Sequence, residues 1–244
     1  MQNDDPRVTP LQPDTPESTQ NEAPFNAMPP AILALVAIIM GIELVLMAGE
    51  AEWIGGMTGA TWRITLLERF AFFEPQFAWM IENSTLRLKY LMRLVTYPFF
   101  QPQFMIAVIV SVFLLALGNL MSRALSQWRV LAVFFGASII GALVFAAAWD
   151  TKTPLFSGLT GAYALVGGYS FLIWRHLKAT GGKQINAFAL IAVLLVAQLA
   201  MGLIYGDSKA WVSETSGFVS GFFLTWALVP GSFSRLVHLA RKRR

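Results

Sequence analysis

The sequence predicts an all-α membrane protein, a bundle of six transmembrane helices, and three observations carry that expectation. Its 244 residues are 56% apolar and only 13% charged, about half the charged share of a soluble domain. Windows of roughly 20 residues with few charges, each long enough to cross a bilayer, recur at Pro29–Gly49, Phe104–Met121, Val130–Trp149, Leu155–Trp174, Ile185–Tyr205 and Trp211–Val229. Of the 18 basic residues, seven fall on the outer side, five of these in the long first loop where the positive-inside rule is weaker, and the rest fall on the side of the N-terminus.

Taken in order, residues 1–28 are rich in Pro, Asp, Glu, Gln, Asn and Thr. They hold too little apolar surface to offset ordering entropy, so a disordered cytoplasmic tail is expected. The first window is longer than a signal-peptide core and follows an acidic segment, so it is expected to stay as an anchor. Residues 29–230 then form the membrane domain, and residues 231–244 a basic cytoplasmic tail ending in Arg241, Lys242, Arg243 and Arg244. With the N-terminus inside, Arg123, Arg129, Arg175, Lys178, Lys183 and Arg235 also fall inside, whereas the short outer loops hold only Lys152 and Lys209. Both termini are therefore expected in the cytoplasm, with a bacterial inner membrane as the location and the lipid bilayer as the constant partner. The net charge of +4 reflects this flank bias beside anionic lipid and does not call for nucleic acid.

The first loop, residues 50–98, is the unusual connection, because a loop that long in a compact membrane domain carries structure or function. Its stretch ATWRITLLERFAFFEPQFAWMIEN mixes charges with Trp62, Phe70, Phe72, Phe73, Phe77 and Trp79. That composition fits a segment lying at the water-lipid boundary, as an aromatic belt or beside a lateral entrance. Within spans, Glu43 is costly in lipid unless it faces a partner or cavity, which marks it as a binding candidate or as a structural hydrogen bond to a neighbouring helix. Gln198 has the same options. Cysteine is absent and the histidines are His176 and His238 alone, so thiolate chemistry and a histidine-rich metal site are excluded, and no cofactor is expected.

The order of a long aromatic first loop, a GxxG turn opening the fourth helix (GLTG, Gly158–Gly161) and small residues along the sixth (ETSGFVSG, Glu214–Gly221) resembles the rhomboid family of intramembrane serine proteases. The resemblance covers nearly the whole chain after residue 28. It implies a serine nucleophile in the GxSG turn, a histidine base on helix six ahead of GxxxG, and side-chain donors four residues apart on helix two for the oxyanion. Here those places hold other residues. Thr160 stands at the nucleophile if the alignment is anchored on Gly158 and Gly161, or Leu159 if it is anchored on Tyr163, with Ser157 one residue ahead of the turn. Glu214 stands at the base, Ile106 and Val110 at the donors, and Gln101 at an upstream histidine. Arg93 matches the arginine of the family's Trp-Arg loop motif, with Met92 in place of the tryptophan, while Arg63 of TWR reads as a belt anchor.

A threonine hydroxyl can attack a carbonyl only with an adjacent base. His176 lies 16 residues beyond Thr160, roughly 24 Å along a helix, and His238 falls in the cytoplasmic tail, so neither pairs with it. A Thr160–Glu214 dyad requires a buried, pKa-raised carboxyl; otherwise Glu214 is an exposed carboxylate suiting the helix dipole. Apolar Ile106 and Val110 cannot donate, and one lost donor typically costs about 10²- to 10³-fold in rate. What remains is packing: Ser213, Gly217, Gly221 and Thr225 repeat every four residues on helix six, facing Gly158, Gly161 and Ala162 on helix four. Thr160 is expected to fill that contact with its hydroxyl on a backbone carbonyl of the previous turn. The leading expectation is a pseudoprotease that binds transmembrane segments of client proteins. The alternatives are an active intramembrane endopeptidase using Thr160 or Ser157, and an unrelated six-helix carrier, for which matching broken helices in two halves are missing.

Overall fold

The computed structural model describes residues 28–85, 87–148, 153–189, 192–193 and 210–229. Its helices are α1 (Pro30–Glu50), α2 (Gly56–Gly59), α3 (Trp62–Phe70), α4 (Glu74–Glu82), α5 (Leu88–Thr96), α6 (Phe104–Ser122), α7 (Gln127–Ala148), α8 (Leu159–Thr180) and α9 (Trp211–Leu228), with 3-10 turns at Tyr97–Phe99 and Gln184–Phe188. Among the described residues three helices, α1, α6 and α7, are long and apolar enough to cross a membrane. Helices α8 and α9 occupy the windows expected fourth and sixth; most of the fifth window, with Gln198, lies outside the described residues, as do both tails. The fourth helix starts at Leu159, not Leu155. Its expected first turn is taken instead by an antiparallel bridge between Leu155 and Phe72 of the first loop.

Helix α1 shows how sequence sets position. Ile32, Leu35, Val36, Ile39, Glu43, Leu46 and Gly49 are buried at helical spacing, while Leu33, Ile38, Leu44 and Val45 on the other faces are exposed. One stripe therefore meets the protein and the rest presents apolar surface suited to lipid. Pro30 opens the helix, where a missing N–H costs nothing, and the Ala31 N–H donates to Gln127 Oε1 at the start of α7.

Helix α8 is the opposite case. Every residue from Thr160 to Gly168 is buried, so the helix sits at the centre with α6, α7 and α9 packed around it. It reaches that position through small residues more than through hydropathy. A methyl built on Gly167 would come within 2.0 Å of the Phe218 carbonyl oxygen, and one on Gly221 within 2.1 Å of the Ala164 carbonyl oxygen. Backbone therefore touches backbone between α8 and α9, the arrangement small residues permit in membrane bundles. The facing set on α8 is Thr160, Ala164, Gly167 and Gly168. Gly158 instead meets Val110, Pro98 and Gln101, and Gly161 meets the Phe134 ring on α7, which corrects the expected pairing of these two glycines with the sixth helix.

The first loop packs inward more than a boundary belt would. Phe72, Leu94, Tyr97 and Leu155 join Ala142 and Phe145 of α7 in a second apolar cluster, with Phe77 against it. Trp53, Met57 and Trp79 stay exposed. Arg93 is buried, donating to Gln76 Oε1 and the Glu68 carbonyl, with its guanidinium over the Phe73 and Tyr90 rings. It fastens the loop helices to one another.

Candidate functional site

Three elements meet at the GLTG turn: the extended stretch before α6, the entry to α8 and the first turn of α9. Gly158 must lack a side chain, because a methyl there would lie 2.8 Å from Val110 Cγ1 and 2.9 Å from the Pro98 carbonyl oxygen. Val110, fully buried, thus abuts the turn; Ile106, one turn earlier, is half-buried. Neither carries a polar atom.

Gln101 organises the turn. It is 1% exposed, and its Oε1 accepts from the Gly158 N–H at 3.0 Å and from Ser157 Oγ at 3.2 Å. Its Nε2 donates to the Pro98 carbonyl at 2.8 Å. Ser157 Oγ in turn accepts from the Leu159 N–H at 3.0 Å. The amides of Gly158 and Leu159 at the entry to α8 are therefore satisfied by side chains. Ser157 is a capping residue here, its hydroxyl engaged on both sides.

Thr160 is 2% exposed, and its hydroxyl shares a short hydrogen bond with Ser213 Oγ of α9. A backbone carbonyl of the previous turn was expected to take that hydroxyl. The difference arises because α9 approaches so closely that a methyl on Gly217 would fall 2.4 Å from the Thr160 carbonyl oxygen, which brings Ser213 directly opposite. The Thr160 methyl also has a dedicated slot: a methyl on Gly141 of α7 would lie 2.4 Å from Thr160 Cγ2. Tyr97 Oη donates to the Ser138 carbonyl at 2.8 Å. Tyr97, Ser138 and Ser213 are all fully buried, so the position is closed to solvent.

Glu214 is 8% exposed, which meets the burial that a Thr160–Glu214 dyad requires and not the alternative of an exposed carboxylate. The stripe that packs α9 on α8 begins in its first turn and carries Glu214 inward beside Ser213, within electrostatic reach of the Tyr163 phenol. His176 is exposed at the far end of α8, and His238 is outside the described residues.

Glu43 finds a partner in the loop and not on a neighbouring spanning helix. Arg63 of α3 donates Nη2 to Glu43 Oε1 at 2.8 Å and Nη1 to Glu43 Oε2 at 3.2 Å. Its Nη1 also reaches the Gln101 carbonyl at 2.8 Å, and its Nε pairs with Glu50. Arg63 is thus an ion-pair partner inside the protein, not a belt anchor. Burial disfavours its charge, but hydrogen bonds to Glu43 and Glu50 outweigh that and hold the guanidinium above its ordinary range. Sequence reasoning passed over Gly141, Tyr97, Ser138, Gly167 and Gly168; of these only Gly168 left a signal, the four-residue spacing Thr160, Ala164, Gly168.

The fold and this site define an integral membrane protein of helices closed around a buried, small-residue central helix. The family profile of the Rhomboid domain matches residues 88–231, and the chain belongs to the rhomboid family. No curated protein matches it.

Proposed function

We propose that this rhomboid-family membrane protein is a pseudoprotease, holding transmembrane segments of client proteins without cutting them, in a bacterial inner membrane with both termini cytoplasmic. The observation that carries the reading is the state of Thr160, sealed from solvent with its hydroxyl committed to Ser213. A serine hydroxyl is no base at neutral pH, so it cannot take the proton that a nucleophile must lose. Val110 against the turn leaves a developing oxyanion without the side-chain donors that stabilise it. Glu214, buried beside Ser213, is the residue an endopeptidase reading would need as its base.

The test is capture of an intact client. The purified protein is reconstituted in liposomes with a single-span segment that rhomboid proteases generally accept, carrying a photo-crosslinking residue. Crosslinking of the uncut segment well above that of an unrelated apolar helix is expected. Equal crosslinking of the two would leave no client-binding role.

A further inference from the structure

The first loop is tied to the GLTG turn at two independent points, both through helix α3. Near its start, Arg63 donates to the Gln101 carbonyl at 2.8 Å, and Gln101 Oε1 holds the Gly158 N–H at 3.0 Å and Ser157 Oγ at 3.2 Å. Just past its end, Phe72 exchanges both backbone hydrogen bonds with Leu155, N to O at 2.9 Å and 2.8 Å, two residues before Ser157. Between these points Phe70 stacks on Phe100, with ring centroids 4.9 Å apart and planes 10° apart, beside Gln101. Arg63 is itself fixed by Glu43, 1% exposed on α1, so the brace is anchored in the bundle.

We propose that α3 is a brace that sets the conformation of the GLTG turn, with Arg63 and Gln101 as its positioning residues, so that displacement of the loop uncaps the amides of Gly158 and Leu159. A belt anchored in lipid needs no such route, because its polar groups would face headgroups. Here the Arg63 guanidinium ends on Glu43, Glu50 and the Gln101 carbonyl, and the Gln101 side chain carries the contact on to the turn. The coupling is a property of the fold and holds whether or not a client is bound.

Amide hydrogen exchange on the full chain in micelles tests it, read at residues 62–70 and at Gly158 and Leu159. In Glu43→Gln/Arg63→Gln, where no charge is left buried and unpaired, exchange is expected to rise in both places, by about tenfold or more at the turn, tenfold being the lower end of what one hydrogen bond to a charged group is worth. In Gln101→Leu the carbonyl that receives Arg63 remains, so exchange rises at Gly158 and Leu159 while residues 62–70 keep their protection. Arg69→Gln, at an exposed position on the same helix, changes neither. A rise at residues 62–70 with an unchanged turn in the double variant would overturn the brace. Should that variant lose protection throughout, Gln101→Leu decides: unchanged exchange at Gly158 and Leu159 overturns it equally.

Discussion

Gly221→Ala is expected to lower the stability of the bundle by roughly 3 kcal/mol, the upper end of typical overpacking costs. The added methyl would sit 2.1 Å from the Ala164 carbonyl oxygen and 2.6 Å from Ala164 Cα. Backbone is the obstacle, so no rotamer change relieves the clash and α9 must move off α8. Because Gly217 and Gly167 line the same contact, that movement also loosens Thr160 against Ser213. Two other glycines serve as internal controls. At Gly136 the nearest atom to an added methyl is the flexible end of Leu224 at 3.3 Å, and at Gly41 nothing lies within 4 Å. Gly41→Ala is expected to be neutral or to stabilise by about 0.5–1 kcal/mol through helix propensity. Unfolding midpoints in mixed micelles separate the cases, and a Gly221→Ala midpoint equal to that of Gly41→Ala would contradict the backbone contact.

Arg63→Met is expected to cost about 3–5 kcal/mol, because it leaves the Glu43 carboxylate buried with no partner. Glu43 is 1% exposed, whereas Glu50, the second partner of Arg63, has 42% of its side chain exposed and can return to water. The loss is thus dominated by one desolvated carboxylate. Adding Glu43→Leu should restore most of the stability, since replacing both members of a buried pair with apolar groups is often near neutral. Equal destabilisation in Arg63→Met and Glu43→Leu/Arg63→Met, measured in the same micelle assay, would mean that loss of the arginine stem, not the orphaned charge, sets the cost.

The sequence made the long helices legible because hydropathy acts over whole turns, and each described window has its helix. It also exposed Glu43, since one carboxylate in an apolar helix is conspicuous. Its partner was hidden. Arg63 is 20 residues away in a loop whose path depends on the Phe72–Leu155 bridge, and no local pattern encodes that bridge. The family resemblance placed Thr160 at the turn, yet the state of its hydroxyl follows from Ser213, 53 positions on, and from the Gly141 slot on a third helix. The pairing of Gly158 and Gly161 with helix six failed for a related reason. Both glycines belong to the motif, but their directions around α8 point to Val110 and Phe134; a four-residue count from Thr160 finds Ala164 and Gly168 instead.

The most direct measurement is cleavage of a broadly accepted rhomboid transmembrane substrate by the purified chain in liposomes, run beside Thr160→Ala and Glu214→Ala. With the hydroxyl of Thr160 committed to Ser213 and apolar Val110 packed against the turn, the substrate is expected to remain intact with all three proteins. Cleavage by the unmodified chain that disappears in Thr160→Ala would make Thr160 a working nucleophile and contradict the pseudoprotease reading.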